Sequence, residues 1–582
     1  MRLPFATIAI LGTVLSVYAG EDVVARTIAV DASQAAKDLT NCQLGANAQQ
    51  FRIHYSIKKM LDSGLFAGFM QDIGRPVIRL DGRSIYGWSG RGETWKLRDA
   101  ETRLRLLKQS KAGEDPAYKL FQPGDFDALA ERFGIDAKPE RFVITRNHPD
   151  IAWFSPEEFH RFCRANGIRL IGAINDHLYY QPESGQVFRF RDNPGYFDGA
   201  VDDFRRKLTW VKDNGYLDLY VAWEIGNECW SSWDPVLYAQ YARKILAAAR
   251  ALQPDIRLAV PVMLRNTDDP AIQEFIAKDH RRQGWFDWHE SMLPALGDDI
   301  RGFSHLQIHV YGSASRYSAN QRGLDNIAEI LAKTPGTDHF RYLVTEWRYT
   351  GVGGTQHRTF RTGALWNAKF AMTLLAHPRV DWSAAHEFLC TSGLGYWTPG
   401  TGNAGPNQDG SEWMFQTPDG VGEGKPGELR STHGRPSFDV GPFGPVNRML
   451  NELMRECPLL IEHRADLGPM SSALFAEGAG DLHWFICRSG DGSTIGGMVV
   501  NTCAQSIDLE LRSGDSPLAV RSAELMSCAA DRLAIPEVPG EAKAWRVEAI
   551  QAHEGRLRMP TNSILVFRAG ARQTGPAEAA ER

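Results

Sequence analysis

From about residue 43 to residue 393, short β-branched or apolar runs alternate with longer segments in which apolar positions recur at helical spacing. That alternation is the mark of βα units wrapped around a parallel sheet. Eight strand candidates fall at 43–49, 76–82, 168–176, 218–228, 256–264, 303–312, 342–349 and 381–389. Between them, Ser155-Pro156-Glu157-Glu158 carries the start signals of a helix, namely an N-capping hydroxyl, a proline in the first turn and early acid, and Asn166-Gly167 carries its stop. A second helix is predicted over 234–252, ending before Pro254. Eight such units predict an α/β fold of the (β/α)8, or TIM-barrel, type, in which polar residues at the C-terminal ends of the strands line the working face.

Two stretches interrupt the rhythm, 84–150 after the second strand and 393–440 after the eighth. Both follow strands and are expected on the catalytic face; the second is long for a structureless connection and reads as a lid or a poorly ordered segment. Beyond a helix predicted at 445–456 the texture changes to short strands (496–501, 507–511, 563–568) with Gly, Ser and Asp turns between them, predicting a C-terminal antiparallel β-sandwich over 441–570. A strand at 25–31, within the segment 20–42, is expected to join that sandwich from the other end, and the tail at 571–582 is expected to be disordered.

The N-terminus changes the cellular picture. An apolar run over 5–17 followed by Val17-Tyr18-Ala19 fits a signal peptide cleaved after Ala19, with an uncleaved anchor as the alternative. No later run is long and apolar enough for a span, so the mature chain is expected without membrane insertion, in the periplasm or secreted. The formal net charge of −5, with no long Lys/Arg run, gives no electrostatic footprint for nucleic acid. Sixteen tryptophans supply flat aromatic faces of the kind sugar rings stack on, although packing claims most tryptophans. The eight cysteines contain no C-x-x-C pair; Cys487 with Cys503 is the most plausible local disulfide, with buried thiols as the alternative.

The chemistry concentrates at two strand ends. Val221-Ala222-Trp223-Glu224-Ile225-Gly226-Asn227-Glu228 is an apolar strand that finishes in polar residues, and Tyr342-Leu343-Val344-Thr345-Glu346-Trp347 has the same form three strands later. Two carboxylates, Glu228 and Glu346, thus converge on one pocket. Hydrolysis of a glycosidic bond with retention needs such a pair about 5–5.5 Å apart, one to protonate the leaving oxygen and one to attack the anomeric carbon. Glu224 shares the strand face of Glu228 one layer deeper and is expected to pair inside the barrel. His305 and His309 have the i,i+4 spacing of a zinc helix, but they lie in a strand without an intervening Glu, so no metal is expected.

Asn227-Glu228 and Thr345-Glu346-Trp347 at these two strand ends resemble the clan A glycoside hydrolases, and the Trp-Glu-Ile-Gly-Asn-Glu stretch with a sandwich built from both termini is similar to the β-xylosidases of family 39 and the α-L-arabinofuranosidases of family 51. The resemblance implies Glu228 as acid/base, Glu346 as nucleophile and Asn227 as partner of the sugar 2-hydroxyl, with no cofactor. It also implies a role for Arg79 after the second strand and for His309-Val310-Tyr311 on the sixth. Arg79 would hold Glu346 as an anion, Tyr311 would hydrogen-bond it, and Glu228 would keep its proton in a drier setting. Arg79-Leu80-Asp81-Gly82-Arg83 departs from the Gly-Gly pattern of family 51, which leaves the sugar open; Arg83 and Arg91 hint at an anionic one. Asp176, His177 and His386 with Glu387 are further candidates for substrate contacts, and Trp153, Trp347 and Trp382 for stacking platforms, each against a packing role.

The expected activity is therefore a secreted retaining glycoside hydrolase acting on a poly- or oligosaccharide. A non-catalytic carbohydrate-binding or polysaccharide-assembly protein on the same scaffold is the rival from another class, and an inverting hydrolase or a lyase the rival within catalysis.

Overall fold

The computed structural model describes residues 23–47, 65–79, 156–176, 178–181, 186–264, 270–279, 282–312, 317–349, 361–385, 395–398, 437–440, 443–464, 482–503, 505–514, 516–528 and 545–570. Its centre is a closed eight-stranded parallel barrel whose strands neighbour one another in chain order. We number them β1 (Gln43–Asn47), β2 (Val77–Arg79), β3 (Arg169–Ile174), β4 (Tyr220–Ile225), β5 (Leu258–Val262), β6 (His305–Gly312), β7 (Arg341–Tyr349) and β8 (Val380–Ala385); β8 closes on β1 through Trp382 to Ala385 against Gln43 to Ala46. Each of the eight runs picked out by pattern contributes one strand. They are rich in β-branched and small residues and buried along nearly their whole length, as parallel strands covered on both faces must be.

The helix Pro156–Ala165 leads into β3 through Gly167, whose φ of +64° suits the left-handed stop. Pro235–Leu252 starts on Asp234, whose carboxylate accepts from the N–H groups of Val236 and Leu237 at 2.9 Å each. Among the described residues no helix is long and apolar enough to cross a membrane.

The barrel's lower interior is filled by Val77, Ile171, Val221, Ala222, Ala259, Leu343 and Trp382. Trp382 is 1 % exposed, packed beside His305 and beneath Arg257, so it plugs the barrel floor and does not serve as a sugar platform.

After the helix Phe443–Glu456 the chain forms a seven-stranded sheet and a four-stranded sheet that share an apolar core containing Ile28, Val30, Ile486, Val499, Leu509 and Phe567. The strand Val23–Val30 lies beside Ser506–Ser513, so the N-terminal segment does complete the sandwich, in a parallel pairing within otherwise antiparallel sheets. Lys37 ties the two halves: its ammonium donates to the carbonyls of Leu375 and His377 at 2.6 and 2.9 Å, at the end of the helix Asn367–Ala376.

The Cys487–Cys503 disulfide is absent. Cys487 is a buried free thiol opposite Gly496, whereas Cys503 lies beyond Asn501 at the other end of the same hairpin. The five strand steps from Gly496 to Asn501, at about 3.3 Å each, already exceed the Cα separation a disulfide allows, about 7 Å. The apolar stretch at 5–17, the insertion 84–150 and the tail 571–582 lie outside the described residues; of the insertion 393–440 only Gly395–Thr398 and Ser437–Val440 are described, and they pair as antiparallel strands.

Candidate active site

Arg79, the last residue of β2, organises the upper barrel. Its side chain is fully buried and donates Nε to Glu224 Oε1, Nη1 to Glu346 Oε1 and Nη2 to Asn227 Oδ1, each at 2.6 Å. A guanidinium has donors only, so Asn227 must turn its amide oxygen toward Arg79, which leaves the amide N–H2 for another partner. Glu224 is wholly buried, so the deep carboxylate of β4 pairs inside the barrel as its place in the strand predicts. Burial pushes its carboxyl up to about 7, against the pull of Arg79 and of His309 and with some help from Glu346.

Glu346 sits on β7 with its side chain 6 % exposed. Three groups besides a ring nitrogen converge on it: Arg79, the hydroxyl of Tyr311, which donates to Oε2, and Asn47, whose Nδ2 reaches Oε1 at 3.4 Å. A local shift in strand register brings this about, since Ile308 pairs with Val344 but His309 with Glu346, skipping Thr345. The bulge re-aims His309 and Tyr311 across the mouth. Burial, and then the charge of Glu346, push the Tyr311 hydroxyl far up, so it stays a donor.

Glu228 follows β4 in a left-handed conformation (φ 51°, ψ 37°) after Gly226 (φ 82°). A side chain at Gly226 would run into Cys229 Sγ at 2.4 Å and Asp176 Cβ at 2.6 Å. The chain then turns back through Ser231, whose N–H bonds the Glu228 carbonyl at 2.9 Å. A non-glycine residue in this region costs roughly 1–3 kcal/mol and persists only where surroundings hold it. The Glu228 side chain is 33 % exposed, so the drier setting expected for it belongs to Glu346 instead: Glu346 lies within a strand, whereas Glu228 lies on the turn beyond one.

His309 bridges the pair, with Nδ1 3.1 Å from Glu228 Oε1 and 3.5 Å from Glu346 Oε2. Burial disfavours its charged form, but Glu346 and then Glu228 outweigh that, so its pKa is raised. One ligand atom each from Glu228, His309 and Glu346 lie within 4.8 Å of one another. Such a cluster could present ligands to a cation, but the Arg79 guanidinium on Glu346 opposes one electrostatically.

Other candidates fall away from the pair. Asp176 is buried and accepts from Cys229 Sγ at 3.3 Å, while its carbonyl accepts from Trp233 Nε1 at 3.1 Å, so it braces the Glu228 turn from below. Trp347 is fully buried against Phe370 and Phe443. The period of two in a strand turns it outward when Glu346 turns inward, so it packs the barrel against its helices and cannot stack on a sugar. His177, His386, Glu387, Trp153, Arg83 and Arg91 lie outside the described residues. Asn47 was not foreseen; its position as the polar end of β1, directly after Leu44, Gly45 and Ala46, is the signal that marks it.

The molecule is thus a (β/α)8 barrel with a β-sandwich assembled from both termini and a facing pair of carboxylates at the ends of β4 and β7. Among solved structures it is similar to an arabinofuranosidase (13 % identity, TM-score 0.55) and to the α-L-arabinofuranosidase from Thermotoga maritima in its arabinose complex (13 %, 0.54). It is likewise similar to the GH51 arabinofuranosidase from Xanthomonas axonopodis pv. citri (12 %, 0.52); in all three the match covers 93 % of this chain and 99 % of the other. No protein-family model and no curated protein matches the sequence. At such identity the likeness is one of fold, and it extends over barrel and sandwich together, which bears out the family 51 resemblance in architecture.

Proposed function

We propose that this chain is an exported retaining glycoside hydrolase in which Glu346 is the nucleophile and Glu228 the acid/base. One observation carries the reading: carboxylate oxygens of Glu228 and Glu346 lie within 4.8 Å of each other at the mouth of the barrel. That spacing suits attack on the anomeric carbon from one side and protonation of the leaving oxygen from the other, whereas inversion needs about 6.5–9.5 Å between carboxyl groups to seat a water.

The surroundings favour this division of labour over its reverse. Glu346 is buried and held by Arg79, Tyr311 and Asn47, which keeps an anion oriented for attack. Glu228 is nearer solvent, where it can deliver a proton to the departing oxygen and then take one from the incoming water. Asn227, its amide oxygen fixed by Arg79, offers its N–H2 to the hydroxyl next to the anomeric carbon. The apolar stretch at 5–17 supports export to the periplasm or medium.

The likeness in fold to α-L-arabinofuranosidases puts arabinofuranosides first on a substrate panel, followed by xylosides, glucuronides and natural polysaccharides. The test is turnover on that panel by the wild type, Glu228→Ala and Glu346→Ala. The reading expects a cleaved substrate and loss of most activity in both variants. Activity surviving either substitution removes that residue from its role, and binding without any cleavage turns the chain into a carbohydrate-binding protein.

A further inference from the structure

Resting on that catalytic reading, we propose that Glu224 is a positioning residue for the nucleophile: through their shared guanidinium, Arg79, the charge on Glu224 sets how much of that cation is left to Glu346. The geometry is unusual in its economy. One arginine, with no solvent exposure, serves two carboxylates at 2.6 Å each and an amide oxygen at 2.6 Å. Glu224 is itself fully buried, and its second oxygen, Oε2, has no hydrogen-bond partner among the described residues. An ionised carboxylate with one bare oxygen in a sealed pocket is costly, so the neutral acid is favoured there until pH rises well past the ordinary carboxylate range.

The groups facing Glu224 come from several elements. Arg79 on β2 and His309 on β6 favour its anion, and Glu346 on β7 opposes it. The Cys229 thiol beyond β4 couples to it and is itself held protonated by burial. These effects together leave the Glu224 carboxyl at about 7, inside the working range of an enzyme. Below that pH Glu224 is neutral, and of these two carboxylates only Glu346 draws on Arg79 as a counter-ion. Above it, two anions compete for one cation, Arg79 is drawn through its Nε toward Glu224, and its hold on Glu346 and Asn227 weakens. Neutral Glu224 is therefore the productive state, and ionisation lowers the rate of glycosyl-enzyme formation without removing a group that touches substrate.

Two readouts test this. A dinitrophenyl glycoside needs no proton from Glu228, so its kcat/KM reports the nucleophile's side of the site. The expected profile falls about three- to tenfold through an apparent pKa near 7, a change equivalent to up to about one pKa unit of interaction. In Glu224→Gln, which keeps an oxygen for Arg79 Nε, the fall from pH 6 to 8 is smaller than in the wild type and retains only what His309, which touches both catalytic carboxylates, contributes. A wild-type profile without that step overturns the proposal even if the variant fails to fold, and so does a step of undiminished size in Glu224→Gln. The second readout is carboxyl carbon NMR of protein labelled at glutamate. The resonance missing in Glu224→Gln titrates near 7, and the resonance missing in Glu346→Gln shows an inflection at the same pH that disappears in Glu224→Gln. If no glycoside is turned over, the catalytic reading fails while this NMR coupling still decides the proposal; uncoupled titrations overturn it.

Discussion

Two layers of the same barrel, a few ångströms apart along the same strands, have opposite character. The lower one is apolar, with Val77, Ile171, Val221, Ala222, Ala259 and Leu343 closed by Trp382. The upper one holds Asn47, Arg79, Glu224, Gln307, His309 and Glu346, all buried and all polar. Val77 and Arg79 are two residues apart on β2, as are Ala222 and Glu224 on β4. Strand periodicity puts such neighbours on one face, so moving up a single layer replaces packing by a charge network. The lower layer supplies the stability that lets the upper one keep buried charges and polar atoms without a hydrogen-bond partner among the described residues, among them Asn47 Oδ1, Glu224 Oε2, Gln307 Oε1 and Thr345 Oγ1.

The contrast can be broken most sharply at its top. Glu346→Ala is expected to lower kcat by more than about 10⁴-fold, and Glu228→Ala by about 10²–10⁴-fold on a substrate with a poor leaving group, with melting temperatures close to wild type. Steady-state kinetics beside calorimetry separates this from misfolding. A large loss of stability with these substitutions contradicts the assignment of the upper layer to chemistry.

Substitutions in the packed regions should do the reverse. Trp382→Ala in the floor and Trp347→Ala behind β7 each remove a fully packed ring and are expected to cost about 3–5 kcal/mol in denaturant unfolding. KM for the folded fraction should stay within about twofold of wild type, since neither ring reaches the mouth. A KM raised tenfold by Trp347→Ala would restore it as a sugar platform.

The next effect is one of pH. Because the folded Glu224 carboxyl lies at about 7 rather than 4.5, the native state binds the extra proton between those values, and the group's contribution to stability declines as pH rises from 4.5 to 7. A shift of that size corresponds to a decline on the order of 3 kcal/mol. Glu224→Gln should lack this decline, so the difference in unfolding free energy between variant and wild type moves in the variant's favour from pH 4.5 to pH 8; parallel curves contradict it. His309 has the same direction of dependence in a window that starts higher. Its raised pKa gives stability that is complete below about 6.5 and is lost as pH rises through the folded value. The smallest effect is expected for Tyr311→Phe, which removes one hydrogen bond to Glu346 and should cost about tenfold in kcat/KM, equivalent to about 1.5 kcal/mol.

The barrel was legible because its signal is redundant. Eight apolar runs with polar ends leave little room for another topology, and Asn227-Glu228 and Glu346 sit where two of those runs stop. What was not legible depended on single backbone steps. Trp347 is one residue past Glu346 and faces the other way. Glu228 was placed in the drier position because a strand end does not reveal the left-handed turn that lifts it toward solvent. Asn47 looks like an ordinary polar stop until β1 is seen to lie next to β2, where Asn47 pairs with Arg79. The Cys487–Cys503 disulfide failed on hairpin register, which spacing along the chain does not fix.

The central claim is that Glu346 forms a covalent bond to the sugar. A 2-deoxy-2-fluoro glycoside with a good leaving group, matched to whichever sugar the panel identifies, slows breakdown of such an intermediate enough for mass spectrometry. The account predicts a mass increase of one fluoroglycosyl unit, located on the peptide containing Glu346 and absent from Glu346→Ala. An unmodified protein that turns over the parent glycoside to a product of inverted configuration would contradict it.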